Sequence, residues 1–455
     1  MALTTIKTAA IADDAVTTDK LANAINTERT ANTAKDLTAL SASNLTSGTV
    51  PDARFPATLP AASAANLTAV PAANITGTLP AISAANLTNV PAANITGTLP
   101  AISGANLTNL PASGRADNRI INGACEVAQR GTSSSSNGYG SVDRMQLSVT
   151  NTDQLAWLQK QSDDAPDGFC KSWEFDVTST ESSIDADEIV YMRYLVEAQD
   201  IKSFYNANGT GKNFTLSFYV KSSNTGTFNI GIHKSDGGTR FITNTYTISA
   251  ANTWQRVVWN ITGDTGTTGM AFDTGQGFQI SFMMTAGTNY TSGGVQTSWG
   301  GFSNSLMAGG HAVNVLDSTN NYWKITGIQL ELGDTVSDFA HETYAETLRK
   351  CQRYYWKIAQ NTFRRVNGYK RGDSQSYWEL QCPVPMRTSP SPTLLASGTF
   401  TDFQSNFNTT QSGPNVNEWN QDTGWGLLYV SSNWSGSHDS IHSWEGYSIE
   451  FSAEL

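Results

Sequence analysis

The chain lacks aromatic side chains over most of its first third. Phe55 is the only aromatic residue before Tyr139, and all 12 tryptophans lie beyond residue 150. Between Pro56 and Gly114 there is no charged residue either. Conventional hydrophobic cores are therefore expected only in the C-terminal two-thirds, and the N-terminal third needs another source of order.

Further absences exclude whole classes of protein. No stretch approaches twenty apolar residues, and residues 1–10 lack a signal-peptide core, so we expect neither membrane insertion nor a secretion signal. The net charge of −11 argues against a nucleic-acid partner. Cys125, Cys170, Cys351 and Cys382 lack the paired spacing of metal ligands and are predicted to be buried thiols. We therefore expect no metal and no cofactor.

The first third carries instead a repeat of 20 residues. The phrase PAANITGTLPAISAANLTNVP runs from Pro71 to Pro91, a near-identical copy follows to Pro111, and a weaker copy starts at Pro51. Proline at this spacing excludes a helix. About five large aliphatic residues per copy, at roughly 1.5–3 kcal/mol each, do not offset roughly 1–2 kcal/mol of backbone entropy per residue.

One chain alone therefore cannot order residues 51–111, whereas several identical chains wound together could. We interpret this segment as an intertwined shaft. A disordered linker is the alternative that its low complexity leaves open.

The first fifty residues form a separate section, 1–50. Ile6, Ile11, Val16 and Leu21 recur every five residues, which is not a helical period, so this start is predicted to be extended and ordered by a partner. The spacing of the apolar residues then changes to one that suits either a short parallel coiled coil or a frayed helix.

The region 112–340 is predicted to be an antiparallel β-sandwich or jelly roll. Five runs alternate with period two and are separated by turn residues: FTLSFYV from Phe214, FNIGI from Phe228, FITNTYTI from Phe241, WQRVVWNI from Trp254 and FQISFMM from Phe278. The fold class is thus mainly β.

One helix is predicted near 342–358, within a connecting segment 341–360. Tyr344, Leu348, Cys351 and Tyr355 would form its apolar stripe.

A last β region, 361–455, ends in the strand YSIEFSAEL. Tyr447, Ile449 and Phe451 would share one face of that strand.

No catalytic motif stands out. There is no GxSxG, phosphate loop or zinc signature, and His438 and His442 lie in a Gly/Ser-rich stretch. Adjacent acids such as Asp163 and Asp164 are more typical of solvated turns than of a glycosidase pair. We therefore expect a protein that is not an enzyme.

Two features could bind a ligand. Eight basic residues and no acid lie between Arg349 and Arg371, Arg364 and Arg365 among them; the alternative is a solvated face that pairs with acidic neighbours. Tryptophans cluster further on, between Asn, Asp, Ser and Gly, a composition that suits the stacking of sugar rings. The candidate carbohydrate-binding residues are Trp419, Trp434, Trp444, Arg364 and Arg365, although small β domains also use tryptophan in their cores.

Three motifs beyond the shaft carry a family resemblance. They are NRIINGACEVAQRG (Asn118–Gly131), ITGIQLELGD (Ile325–Asp334) and ETLRKCQRYYWK (Glu346–Lys357). In this order, behind a GTLP/NLT shaft, they resemble the tail-fibre proteins of tailed bacteriophages. The resemblance implies a carbohydrate-binding-module-like sandwich that the first motif opens and the second closes, followed by a helix and a terminal domain.

The resemblance also implies partners and location. We expect a homotrimer in the virion, made in the host cytoplasm, that docks on a tail protein (baseplate, adaptor or nozzle) through Ile6, Ile11, Val16 and Leu21. Its C-terminus would meet a host surface polysaccharide or lipopolysaccharide. A purely structural fibre or spacer on the tail or capsid is one alternative, and a polysaccharide depolymerase is the second.

Overall fold

The computed structural model of the protein describes residues 27, 30, 117–153, 156–266, 270–358, 365–370, 375–402, 408–409, 415–420, 423–431 and 441–455. Thr27 and Thr30 are helical and exposed, within the segment predicted as a coiled coil or frayed helix. The shaft and the predicted attachment residues Ile6, Ile11, Val16 and Leu21 lie outside the described residues. Everything described from residue 117 onward belongs to one compact unit, Ser103–Leu455.

The first domain of this unit is built from strands that follow the predicted alternation. In chain order they are β1 (Ser133–Ser134), β2 (Gln146–Thr150), β3 (Ala156–Ser162), β4 (Ser172–Ser179), β5 (Ile189–Glu197), β6 (Phe214–Ser222), β7 (Gly226–Lys234), β8 (Arg240–Ile248), β9 (Gln255–Ile261), β10 (Gln276–Ala286), β11 (Gly300–Gly301) and β12 (Tyr322–Leu332). The predicted runs coincide with β6 to β10, which confirms the mainly β fold class.

These strands form two six-stranded antiparallel sheets. The first has the order β1-β3-β4-β12-β6-β9 and the second β11-β8-β7-β10-β5-β2. Alternate residues of both sheets enter one shared core, in which Trp173 and Trp323 lie with ring centroids 6.2 Å apart. Each large apolar side chain buried there contributes roughly 1.5–3 kcal/mol.

The opening and closing motifs meet in this domain. Gly123 packs so closely on β12 that an added Cβ would lie 2.2 Å from the carbonyl oxygen of Ile328. The buried Asn122, with φ of 61°, uses its side chain to bond Val127 and the carbonyl of Asp143. The opening motif is therefore a tightly folded turn that fixes the start of the domain against its last strand.

From residue 117 onward, two helices of the regular α type are described. They are α1 (Thr288–Thr291) and α2 (Tyr344–Gln352), the second begun by a capping box between Thr343 and Glu346. Helix α2 is shorter than predicted, because Tyr355–Ile358 is a strand. Its buried residues are Thr347 and Cys351, whereas Tyr344, predicted on the apolar stripe, is 56% exposed.

The second domain is a single antiparallel sheet. Its strands are β13 (Tyr355–Ile358), β14 (Arg365–Lys370), β15 (Gln375–Gln381), β16 (Ser391–Asp402), β17 (Asn408–Thr409), β18 (Asn415–Asn420), β19 (Trp425–Ser431) and β20 (Ile441–Ser452). The order is β17-β16-β20-β14-β15-β19-β18, and β13 pairs with the other end of β20. Tyr447, Ile449 and Phe451 of β20 are all buried, as the alternation predicted.

The cysteines follow the prediction with one exception. Cys125, Cys351 and Cys382 are buried free thiols, and burial raises the pKa of the Cys125 and Cys382 thiols to about 12. Cys170 is exposed, so the prediction that all four are buried was wrong. It lies between β3 and β4, where the chain leaves the sheet.

A set of charged contacts joins the two domains. Arg144, which is buried, pairs with Glu454, and Arg130 approaches the same carboxylate at 3.2 Å. Each guanidinium also stacks on a tyrosine ring, Arg144 on Tyr354 at 3.5 Å and Arg130 on Tyr355 at 3.6 Å. We call these residues the domain joint.

Candidate functional site

The outer face of the second sheet contains one continuous row of residues. Gln146, Arg193, Ser281, Gly231 and Thr243 lie directly opposite one another on β2, β5, β10, β7 and β8. Residues paired in this way share a face of the sheet. Since their sequence neighbours enter the core, the whole row belongs to the outer surface.

One side of this row is covered by residues 287–313. Tyr191 and Met283, on the adjacent row, form a separate apolar cluster with Met307 and Ala308 of that segment. The segment also crosses β8, where the backbone N–H and side-chain hydroxyl of Thr243 bond to the backbone of Gln296. This part of the outer face is therefore closed.

His311 anchors the covering segment. The backbone N–H of Asn229 donates to His311 Nδ1 at 3.2 Å, so the proton is assigned to Nε2, which donates to the carbonyl of Val313 at 2.8 Å. Burial lowers the pKa of His311 to about 4, against a smaller opposing effect of its backbone hydrogen bonds. The imidazole is therefore neutral at physiological pH.

On the other side of the row, the end of β5 is covered by Arg353, the residue that follows α2. Glu197, at the end of β5, is fully buried and accepts two hydrogen bonds from Arg353, at 2.9 and 3.0 Å. Arg353 belongs to the basic run that the sequence singled out. Lys350 of the same run pairs with Glu342. Two of the eight basic residues are thus neutralised by acidic neighbours.

Between these two closed regions a strip of polar and aromatic side chains remains accessible. Its members are Gln146, Arg193, Gln279, His233 and Phe302, and we call them the open strip. Phe302 is 38% exposed and the other four are half-buried. The Phe302 ring packs on His233 at 4.9 Å between centroids and on Phe241 at 5.4 Å, so it is held in place on the sheet.

Arg193 is the charged member of the open strip. Its Nε donates to Oε1 of Gln146, on the neighbouring strand. Its terminal nitrogens have no hydrogen-bond partner, and it forms no ion pair, within the residues the structure describes. Gln279 donates through Nε2 to Ser281 Oγ at 3.0 Å, which leaves its Oε1 as an acceptor. The strip therefore offers charged donors beside a neutral acceptor.

On the outer face of the first sheet, the lysines pair with neighbouring carboxylates. Asp164 accepts hydrogen bonds from Lys221 and Lys324 at 2.8 Å and from Trp254 at 3.0 Å, and Lys324 also meets Glu174 at 3.1 Å. Although burial raises the pKa of Asp164, these hydrogen bonds lower it overall, to about 2. Arg256, half-buried on β9 of the same face, has no carboxylate partner among the described residues either, but its Nη2 donates to the carbonyl of Ser337 at 2.5 Å.

The residues predicted as a carbohydrate site lie in the second domain. Trp419 lies on β18, not in a loop, and packs half-buried against the core of the C-terminal sheet. Trp444 and Arg365 lie on β20 and β14, where Trp444 pairs with Val366. The side chains of Trp444 and Arg365, and all of Trp434 and Arg364, lie outside the described part of the chain.

The sequence reasoning missed the open strip. Its one local signal is in β5, IVYMRYLVE, where Arg193 is the single basic residue of a strand otherwise made almost entirely of apolar side chains. In the C-terminal sheet, Tyr369 was also missed: it is 45% exposed and stacks on Tyr377 at 5.6 Å.

No group of three or more His, Cys, Asp or Glu side chains among the described residues could hold a metal ion. No helix in the described ranges is long and apolar enough to cross a membrane.

No protein-family model and no curated protein matches the sequence significantly. Among solved structures, the chain is similar to the enzymatically active domain of tailspike protein 4 of bacteriophage CBA120, at 15% identity and a TM-score of 0.27. That match covers 48% of this chain but only 21% of the tailspike chain.

Carbohydrate-binding modules are also among the similar structures. The family 11 module of a cellulosomal cellulase of Clostridium thermocellum matches at 11% identity and a TM-score of 0.23, covering 44% of this chain and 95% of the module. A family 30 module matches at 14% identity and a TM-score of 0.21, covering 49% and 91%. At these scores the likenesses carry no inference about what this chain binds.

Proposed function

We propose that this chain is a subunit of a viral tail fibre that attaches the virion to glycans on the host-cell surface without cleaving them. The observation that carries the binding part of the proposal is the open strip, where hydrogen-bonding side chains and an exposed ring lie side by side on a sheet. The repeat shaft and the three quoted motifs support the fibre part.

The chemistry of the open strip suits a saccharide. A sugar ring offers an apolar C–H face to an aromatic ring such as Phe302, and its hydroxyls pair with amide and guanidinium groups such as those of Gln279 and Arg193. From β2 to β7 the strip spans three strand spacings, about 14 Å. That length accommodates a short oligosaccharide lying across the strands.

The strip lacks the groups that glycoside hydrolysis needs. Hydrolysis uses two carboxyl groups on either side of the bond that is cleaved. Among the described outward-facing residues of β2, β5, β7 and β10, Glu197 has the only carboxylate. That carboxylate is already hydrogen-bonded to Arg353. This supports binding without cleavage over the depolymerase alternative.

Weak binding at a single open strip is strengthened when several copies of the chain bind together. In a homotrimer each chain would present one open strip, and simultaneous engagement raises overall avidity well above the affinity of one site. The predicted C-terminal site at Trp434, Trp444, Arg364 and Arg365 remains a prediction, and its aromatic rings could add a second contact.

The test is a glycan array probed with the full chain, followed by affinity measurements on its hits. Phe302→Ala should weaken binding roughly 5- to 150-fold, by analogy with interface aromatics whose removal costs about 1–3 kcal/mol. Tyr344→Ala is the matched control, since Tyr344 is an exposed aromatic residue on α2.

The outcomes separate the alternatives. Binding that Phe302→Ala weakens and Tyr344→Ala leaves intact supports the proposal. No binding to any glycan favours the structural spacer, and new reducing ends released from a bound polysaccharide favour the depolymerase. Binding that neither variant alters would place the site elsewhere, with the second domain as the next candidate.

A further inference from the structure

We infer that the open strip selects saccharides that carry a carboxylate, and that the free edge of the Arg193 guanidinium binds this group. The inference rests on the proposed function and names the substrate class of the same site.

The first step is the state of Arg193 itself. Arg130, Arg144, Arg240 and Arg353 each meet a carboxylate in this structure. Arg193 does not, although it is half-buried on β5, which lies between β10 and the edge strand β2. Burying a guanidinium without an anion costs free energy, so a ligand anion at this position would supply the missing counter-charge.

The second step is the geometry that Gln146 imposes. Because the side-chain oxygen of Gln146 accepts from Nε, one side of the guanidinium is fixed and the edge formed by the two terminal nitrogens remains for a ligand. That planar edge matches the two oxygens of a carboxylate, which accept two parallel hydrogen bonds. A neutral hydroxyl uses only one of them.

The third step is the surrounding charge. The protein as a whole has a net charge of −11, which repels anions at long range. On the outer rows that flank Arg193, however, the described residues are neutral. They are Gln146, Ser148, Tyr191, Leu195, Gln279, Ser281, Met283, Asn229, Gly231, His233, Phe241, Thr243 and Thr245.

The histidine of the strip does not alter this balance. Burial lowers the pKa of His233, so it stays neutral near pH 7. Arg193 is then the one cation of the strip in the described residues. Its effect is local, because partial burial strengthens a charge-assisted hydrogen bond relative to one in bulk water.

The experiment uses the full chain at fixed ionic strength and pH 7. Isolated acidic bacterial polysaccharides are immobilised in two forms, native and with the carboxyl groups chemically reduced to alcohols. Neutral polysaccharides and sulfated dextran complete the set. We expect binding to the native acidic polymers to be at least tenfold tighter than to their reduced forms.

Variants then assign the effect to one residue. Arg193→Gln should remove the preference for the native acidic form. Arg193→Lys, which keeps the charge but not the planar edge, should retain part of it. Lys171→Gln is the charge-matched control, because the side chain of Lys171 is 36% exposed and pairs with the exposed Asp163 near the first sheet.

Each result bears on the inference. Equal binding of native and reduced polymers, or of sulfated dextran and the acidic polymers, would overturn carboxylate selection while leaving glycan binding in place. Failure to bind any polymer would count against the proposed function itself. If Arg193→Gln melts at a lower temperature than wild type, its loss of binding is ambiguous and the Arg193→Lys variant is used instead. Full retention of the preference for native acidic polymers in Arg193→Lys would overturn the role of the planar edge.

Discussion

The guanidinium of Arg144 lies 3.5 Å from the centre of the Tyr354 ring, and the same group forms an ion pair with Glu454. The arginine comes from the sandwich, Glu454 from the end of the second domain, and Tyr354 directly precedes β13 of that domain. The relationship matters because the side chains of Arg144 and Glu454 are only 1% and 7% exposed, so neither charge has water as a substitute partner.

We predict that Arg144→Ala uncouples the two domains. Removing one partner of a buried pair costs about 3–5 kcal/mol when the remaining charge is left uncompensated. The cost here should lie toward the lower end of that range, because Arg130 still approaches the Glu454 carboxylate at 3.2 Å. Calorimetry of the full chain should then resolve separate transitions for sandwich and C-terminal sheet. Lys171→Ala, which breaks the exposed pair with Asp163, should cost less than about 1 kcal/mol. An unchanged transition for Arg144→Ala would mean that the joint contributes little.

A second prediction concerns pH and the covering segment. In the unfolded chain His311 titrates near its ordinary value of 6.5, but when folded only near 4. Stability is therefore complete above pH 6.5 and is lost as the pH falls, by about 2 kcal/mol between pH 7.5 and 5.0.

The measurement compares wild type with His311→Asn. The amide oxygen of the variant can still accept from Asn229, but it has no basic group to protonate. Denaturant unfolding, followed by tryptophan fluorescence, should show a smaller loss of stability toward pH 5.0 in the variant, even if it is less stable at pH 7.5. Equal losses in both proteins would contradict the prediction.

A third prediction separates two tryptophans. Trp419 packs against the core of the C-terminal sheet, so Trp419→Ala should lower stability by about 2–3 kcal/mol, somewhat less than for a fully buried residue. For Trp434 the earlier expectation stands: Trp434→Ala should weaken binding to host cells with little change in melting temperature. A Trp419→Ala variant that melts like wild type but loses cell binding would restore Trp419 as a ligand residue.

The fourth prediction concerns assembly. Because residues 51–111 cannot offset the entropy of their own ordering, we expect the full chain to be trimeric and that segment alone to be an unstructured monomer. Analytical ultracentrifugation of the full chain and circular dichroism of the isolated segment provide the two measurements. A monodisperse monomer of the full chain would refute the intertwined shaft.

The fifth prediction places virion docking at the N-terminus. Deleting residues 1–20 removes Ile6, Ile11 and Val16 and should leave soluble trimers that no longer enter particles. Particle incorporation is measured by immunoblotting of purified virions. Normal incorporation of the truncated chain would show that docking uses another part of the protein.

Much of the fold could be predicted because its signals are local. The alternation of FTLSFYV or YSIEFSAEL lies within one strand, and it gave the correct buried face of β6 and of β20. The helix was predicted too long because YYWKI suits both a helix and a strand. The segment forms a strand because Tyr355–Ile358 pairs with β20, almost a hundred residues away.

The open strip could not be predicted, since it depends on register between distant strands. Gln146 and Arg193 become neighbours only when β2 pairs with β5, and Gln279 joins them through β10. Phe302 reaches the strip from a connection outside the main strands. Tryptophans near one another in sequence gave a stronger local signal, but at Trp419 that signal reflects the core of a small sheet.

The central positions of β12 and β20 have a consequence for how the chain folds. Each comes after the strands it joins: β12 lies between β4 and β6, and β20 between β16 and β14. During synthesis, the first sheet of the sandwich and the C-terminal sheet therefore each have unpaired inner strands until the late central strand has left the ribosome. A chain that stops before residue 322 or 441 loses the middle of a sheet, and we expect it to aggregate instead of forming a shorter domain.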